Sequence, residues 1–396
     1  MTPKWVMSSC SDGVQRGRQV ALGLVSALLT AGVAQPLQVV AAPAAALAPV
    51  LTSVERPDPA STAALLAPGS YPSLGLGLGV GLGASPASPP ATAALAGATE
   101  AGGPLLFAVH DLDWLDVGRS RAVPVRLYLP VAASVLKPVP LIVFSHGIGG
   151  SRKGYSYLGR FWASQGYASL HLQHVGSDRA LWSGNPFGVV GRLQAAAQDS
   201  EATARVQDLS FALDQVLAGE FAARLDAGRV VAAGHSYGAN TTLMAVGAQV
   251  QRAGRLIDLR DPRIKAAIVI SAPPFYGETA FGSILGGIAV PSLHVTATED
   301  TIQVPGYFSP AIDRVAVYEA TGGPSKMLAV FAGGSHNIFS DRPTSGGAAL
   351  NPQVKAATQA LSLAFLKSVF DGDNMGMRDW TVQFASLLSR SNIDRR

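Results

Sequence analysis

Ser236 stands in Gly234-His235-Ser236-Tyr237-Gly238, between the apolar run Val230 to Ala233 and a stretch of small and apolar residues with a helical pattern. A serine hydroxyl becomes a nucleophile only when a base takes its proton and a third group holds that base and stabilises its charge. The chain has seven histidines. His146 and His235 lie inside glycine motifs, and His110, His171, His174 and His294 lie within or at the ends of expected strands. Only His336 follows a late apolar run through Gly333-Gly334-Ser335, where its ring can swing over Ser236. For the acid, Asp300 closes an earlier expected strand. Glu299 is its competitor, and at a strand end the two side chains point in opposite directions. We take Asp300.

An acyl transfer also needs donors for a developing oxyanion. His146-Gly147-Ile148-Gly149-Gly150-Ser151-Arg152 closes another apolar run, and glycines there let backbone N–H groups face a ligand. The expected donors are the N–H groups of Ile148 and of Tyr237. The chemistry implied is attack by Ser236, protonation of the leaving group by His336, then deacylation by water, with no cofactor. His171 and His174, with Asp178 nearby, lack an evident third ligand. They are read as rim and turn residues, and no metal site is expected. Arg205 and Asp208 are read as a surface pair.

These residues need a frame. Leu105 to Leu112 and Ala122 to Leu129, joined by a polar turn at 116–121, read as an antiparallel hairpin at a sheet edge. Val139 to Ser145, Ala168 to Leu172, Val230 to Ala233, Ile264 to Ile270, Pro291 to Thr296 and Met327 to Phe331 read as strands, mostly buried on both faces. Helices are expected over 155–165, 199–217, from 237 onward and over 352–370. Residues 180–197, with Trp182 and Phe187, are expected to form a loop bordering a cleft. The alternation gives an α/β fold: a mostly parallel central sheet with helices on both faces, the functional residues at strand C-termini.

That domain is expected over 104–396. Ahead of it, Lys4, Arg16 and Arg18 precede the apolar run Val20 to Ala34, which ends in small residues. This is the pattern of a secretory signal peptide over 1–34, cleaved near Ala34, and it implies a secreted or periplasmic protein with no stable membrane span after processing. Residues 35–103 are rich in Ala, Pro, Gly and Leu and read as a low-complexity linker or pro-segment. Cys10, the only cysteine, lies within the expected signal, so the processed chain would have no disulfide and no competing thiol nucleophile. The net charge of +4 is too small and scattered to argue for nucleic acid.

The order Ser236, Asp300, His336 is that of the α/β-hydrolases. Over about residues 104–372 the elbow, the His146–Arg152 loop and Gly166-Tyr167-Ala168-Ser169-Leu170-His171 leading to Gly176-Ser177-Asp178 resemble platelet-activating-factor acetylhydrolases and bacterial dienelactone-hydrolase-like proteins. Val290-Pro291-Ser292-Leu293, Glu299-Asp300-Thr301-Ile302 and Gly333-Gly334-Ser335-His336 are similar to the acid and histidine segments of cutinase-type polyester hydrolases. In the plasma acetylhydrolases the acid comes one strand earlier, where this chain has Ile270-Ser271-Ala272. True dienelactone hydrolases use cysteine where Ser236 stands. The cutinase resemblance implies that Phe275 contacts substrate; the plainer alternative is that it belongs to the core.

The expectation is a monomeric serine carboxylesterase (class EC 3.1.1), lipase-like or polyester-active, acting on a small-molecule, lipid or polymeric ester. The alternatives are a phospholipase A2-type hydrolase, and a catalytically silent hydrolase-fold binding protein.

Overall fold

A computed structural model describes residues 106–304, 307–323 and 325–393. The expected signal peptide and the low-complexity segment lie outside the described residues.

The chain runs β1 (Phe107–Asp116), β2 (Arg121–Pro130), β3 (Val139–Ser145), α1 (Ser156–Ser164), β4 (Ala168–Leu172), α2 (Val189–Ala196), α3 (Asp199–Ala218), β5 (Leu225–His235) and α4 (Tyr237–Ala245). It continues through β6 (Gln249–Arg252), β7 (Arg255–Asp258), β8 (Ile264–Ile270), α5 (Phe281–Leu285), β9 (Ser292–Glu299), β10 (Ile302–Val304), β11 (Tyr307–Ser309) and α6 (Ile312–Ala320). β12 (Lys326–Ser335), α7 (Leu350–Asp371), α8 (Met375–Gln383) and β13 (Leu388–Ser391) complete it.

Nine strands form one sheet in the order β1-β2-β4-β3-β5-β8-β9-β12-β13. From β4 to β12 the neighbours are parallel. β1, β2 and β13 pair antiparallel at the edges. The sequence reason is visible in β3, whose seven residues are all buried: an apolar run without polar alternation has to be covered on both sides. Period 2 then divides it between two cores. Leu141, Val143, Val230, Ala232 and Val269 pack with Val206, Leu209 and Leu213 of α3 and Leu243 of α4. Ile142, Phe144, Val231, Ala233 and Ile268 pack with Trp162 of α1, Leu361 and Phe365 of α7 and Trp380 of α8. Among the described residues no helix is long and apolar enough to cross a membrane.

The structure differs from expectation in several places. Residues 180–197 are not a plain loop: α2 and two short 3-10 turns, Arg179–Trp182 and Pro186–Gly188, fill most of the segment. β9 and β12 run on to Glu299 and Ser335. Two small hairpins, β6-β7 and β10-β11, carry no long apolar run that would announce them.

The larger correction concerns charge. Arg205 and Asp208 are wholly buried on the inner face of α3, not a surface pair, and His171 and His174 are buried too, not on a rim. Asp208 takes hydrogen bonds from Arg119 (2.9 Å), Arg121 (2.8 Å) and His174 (3.1 Å). The guanidinium groups of the β1-β2 turn thus reach under the sheet's end to supply the counter-charge that a buried carboxylate requires. Burial alone would raise the Asp208 carboxyl, but hydrogen bonds from His174 and Arg121 hold it down at about 2.

Candidate active site

The β5-α4 turn is built by what its flanks lack. A Cβ on Gly234 would overlap the Gly238 carbonyl, and one on Gly238 would overlap the Ser145 carbonyl, so only glycine lets strand, turn and helix approach this closely. Ser236 at the apex has φ 57° and ψ −123°, a conformation a non-glycine residue holds only when its surroundings impose it. Its N–H bonds the Ile270 carbonyl at 2.9 Å, pinning the turn to the end of β8.

Ser236 Oγ lies 2.8 Å from His336 Nε2, and His336 Nδ1 lies 2.7 Å from Asp300 Oδ1. A carboxylate can only accept, so Nδ1 carries the ring proton and Nε2 is left to accept from the serine hydroxyl. Asp300 is fully buried, and its other oxygen accepts from Ser271 Oγ (2.5 Å) and Thr296 Oγ1 (2.8 Å). Arg314 Nε stands 3.5 Å from Oδ1. Burial works against the charged form of Asp300. It is outweighed by the hydrogen bond and charge of His336, the charge of Arg314 and the Ser271 hydroxyl, which together hold the carboxyl well below the usual range. Glu299 is exposed and takes no part. Ser271, where the acetylhydrolase resemblance would put the acid, has φ 54° and aims its hydroxyl at Asp300 instead.

The N–H groups of Ile148 and Tyr237 have no hydrogen-bond acceptor among the described residues. Both residues, with Ser236, line one cavity of about 400 Å³. An unpaired N–H at a helix start beside a nucleophile is what an oxyanion requires. Phe275 is 92% buried and packs in the core, on the wall of this cavity.

Two supporting residues escaped the sequence. Tyr155 caps α1 with φ 56° and places its hydroxyl 2.8 Å from His235 Nδ1, and the Gly147 N–H reaches that hydroxyl at 3.4 Å. His235 Nε2 donates to the His336 carbonyl at 3.0 Å. Burial, with the charge of His336 also opposing protonation, pushes the His235 imidazole down to about 3. It is therefore neutral, and the run Gly147–Tyr155–His235–His336 ties the glycine loop to the histidine loop.

The second is Arg205. It donates to Thr241 Oγ1 on α4 (2.9 Å), to Ser177 Oγ (2.7 Å) and to the carbonyl of His146, and its guanidinium lies 4.5 Å from the centre of the Tyr237 ring. One buried cation thus braces both backbone segments that carry the unpaired N–H groups. Its pKa, pushed down to about 10 by burial, leaves it charged at neutral pH.

The model of the family "Platelet-activating factor acetylhydrolase, isoform II" matches residues 116–183. That stretch holds the glycine loop but neither Ser236, Asp300 nor His336. No curated protein matches the chain. Among solved structures, a ferulic acid esterase from Streptomyces cinnamoneus is similar with a TM-score of 0.51 and 21% identity, over 69% of this chain and 92% of that one. The strand order, the parallel centre and this likeness together show that the chain has the α/β-hydrolase fold.

Proposed function

We propose that the chain is a serine hydrolase of carboxylic esters working through an acyl-enzyme on Ser236. The observation that carries the reading is the hydrogen-bonded line from Ser236 Oγ through His336 to Asp300, at the edge of a cavity with two unpaired N–H groups. Ser236 Oγ adds to the ester carbonyl carbon as its proton passes to His336 Nε2. The carbonyl oxygen, now negative, is held by the N–H groups of Ile148 and Tyr237. Collapse breaks the acyl C–O bond, and the departing alkoxide takes the proton from His336. Water then repeats the sequence on the acyl-enzyme, releasing acid and free Ser236. The steps need no cofactor.

The similarity to a ferulic acid esterase and to part of the acetylhydrolase model supports ester cleavage. Exposed Trp182, Phe187 and Tyr276 support a lipid or polymeric substrate alongside small ones. Trp182 is fixed to the glycine loop through the Gly149 carbonyl, and Tyr276 lines the cavity. The acetylhydrolase match favours, as a second reading, a phospholipase A2-type hydrolase releasing short acyl groups. The basic-then-apolar pattern of residues 1–34 supports action outside the cytoplasm.

A fluorophosphonate probe should label the wild-type chain and not the Ser236→Ala variant. Ser236→Ala and His336→Ala should each lower ester turnover by about three orders of magnitude or more. A p-nitrophenyl ester chain-length series run against short-acyl phosphatidylcholine separates the two substrate readings. Absence of Ser236-dependent labelling would leave a silent binding protein.

A further inference from the structure

Among the described residues, Arg252 at the end of β6 is the only cation that lines the cavity beside Ser236. A partly exposed guanidinium there invites reading as a receptor for an anionic substrate group. Its donors are already engaged. Nε donates to Asp199 Oδ2 at 2.9 Å, Nη1 to the Glu278 carboxylate and to the Gln251 carbonyl (3.1 Å), and Nη2 to the Tyr276 carbonyl (3.1 Å). Four of its five N–H groups are thus used, and two carboxylates outweigh its single charge. An incoming anion would meet a net negative surrounding, so Arg252 serves the protein's own walls.

Its acceptors sit on two of the elements that wall the cavity. Asp199 opens α3, and Gln198, Asp199 and Ala202 line the cavity there. Tyr276 and Glu278 belong to the segment between β8 and α5, which supplies Pro273, Pro274, Phe275 and Tyr276 to the cavity. That segment has no helix or strand of its own, and its two prolines bring no N–H. Among the described residues, few hydrogen bonds join 273–279 to other elements. They are the two from Arg252 and a long one, 3.5 Å, from the Tyr307 hydroxyl to the Pro274 carbonyl. Phe275 anchors the start of the segment in the core, and the Tyr276 and Tyr307 rings lie 6.0 Å apart. Beyond that, its placement depends on Arg252.

Resting on the esterase reading above, we propose that Arg252 is a positioning residue that sets which esters fit: by strapping the Pro273–Tyr276 wall to the start of α3, it fixes the width of the cavity. A slender arm of the ester enters freely, and a bulky or branched one is turned away. To admit a wide arm the two walls have to part, which stretches a charge-assisted bond at each end of the guanidinium. Partly exposed ion pairs are individually weak, so the discrimination they supply is several-fold and not absolute. None of the strap's partners hydrogen-bonds Ser236, His336 or Asp300, and the bond-breaking steps do not involve it.

The test compares two ester pairs across the wild type, Arg252→Gln and Glu278→Gln. p-Nitrophenyl propanoate and p-nitrophenyl cyclohexanecarboxylate vary the acyl arm; propyl acetate and cyclohexylmethyl acetate vary the alcohol arm. The ratio of kcat/KM, bulky over slender, cancels the intrinsic reactivity of the esters when compared between enzymes. In at least one pair it should rise about fivefold or more in Arg252→Gln and by a smaller factor in Glu278→Gln, the slender ester changing less than about twofold. Raising NaCl to about 1 M, which shortens the Debye length to about 3 Å, should raise the wild-type ratio and leave that of Arg252→Gln where it was. Ratios unchanged or lower in both pairs overturn the proposal, even where Tm falls, since they leave Arg252 with a stabilising role alone. If Arg252→Gln does not fold, Glu278→Gln and the salt response of the wild type decide. Loss of fluorophosphonate labelling in the wild type would instead strike down the esterase reading itself.

Discussion

Lowering the pH from 7 to 5 should unfold this protein well before its carboxylates are protonated. His146, His171, His174, His235 and His294 are all buried, and burial is the largest cause holding each imidazole below its ordinary value, to about 3 for the last four. In the unfolded chain each titrates near 6.5. Between those values the unfolded state binds more protons than the folded one, so stability rises with pH and is lost as pH falls below about 6.5. At pH 5 each of the last four favours unfolding by about 2 kcal/mol relative to pH 7, and the four together by roughly 8 kcal/mol, an upper figure comparable to the whole stability of a typical domain, with His146 acting in the same direction. Asp208 and Asp300 have depressed pKa values, so their stabilisation is intact above about pH 4 and vanishes only below it. Urea midpoints and Tm followed by circular dichroism at pH 7, 6 and 5 should fall throughout, and more steeply from pH 6 to 5 than from 7 to 6. His294→Leu, which removes a ring nitrogen without a hydrogen-bond partner, should reduce the slope by about one proton. A Tm equal at pH 5 and pH 7 would refute the claim that these rings are buried and neutral.

Three further outcomes follow from the site. Asp300→Asn should lower kcat by about 10⁴ with the fold intact, because the amide no longer fixes the His336 tautomer. Exposed Glu299→Gln should be mild, and the reverse ranking would show that the acid lies elsewhere. Gly238→Ala puts a Cβ into the Ser145 carbonyl and 2.8 Å from that of His146, and should cost about 3 kcal/mol or more in urea titration; Gly191→Ala on α2, with open space around it, should be neutral or slightly stabilising. Arg205→Lys keeps the charge but cannot hold Thr241, Ser177 and His146 at once. It should lower kcat at least tenfold with KM little changed, and weaken a trifluoromethyl ketone inhibitor in step; a loss confined to Tm would assign Arg205 to stability alone.

The frame was legible because parallel strands covered on both faces are written as unbroken apolar runs, and the reactive residues stand where those runs end. β3 and β8 could be bounded almost to the residue. What could not be read was the destiny of charge. Charged residues on a helix are ordinarily solvated, so Arg205 and Asp208 were expected outside. A weak signal existed: Glu201, Arg205 and Asp208 recur at helical spacing on the side of α3 that carries Val206 and Leu209, and the first turn sets two cations, Arg119 and Arg121, against one carboxylate, Asp116. Tyr155 gave no signal, since its role depends on a left-handed backbone that brings its ring to His235. The short hairpins at 249–258 and 302–309 were missed because three or four residues cannot display a period.

The meeting of Ser271 and Asp300 has a consequence for how such enzymes diverge. Their side chains leave the ends of two adjacent strands, β8 and β9, and come within 2.5 Å of each other behind His336. The negative charge is therefore fixed by location and not by address in the chain: either strand can deliver it to the same spot. Counting strands is then a poor guide to kinship among these sheets, while the spot behind the histidine is a lasting one.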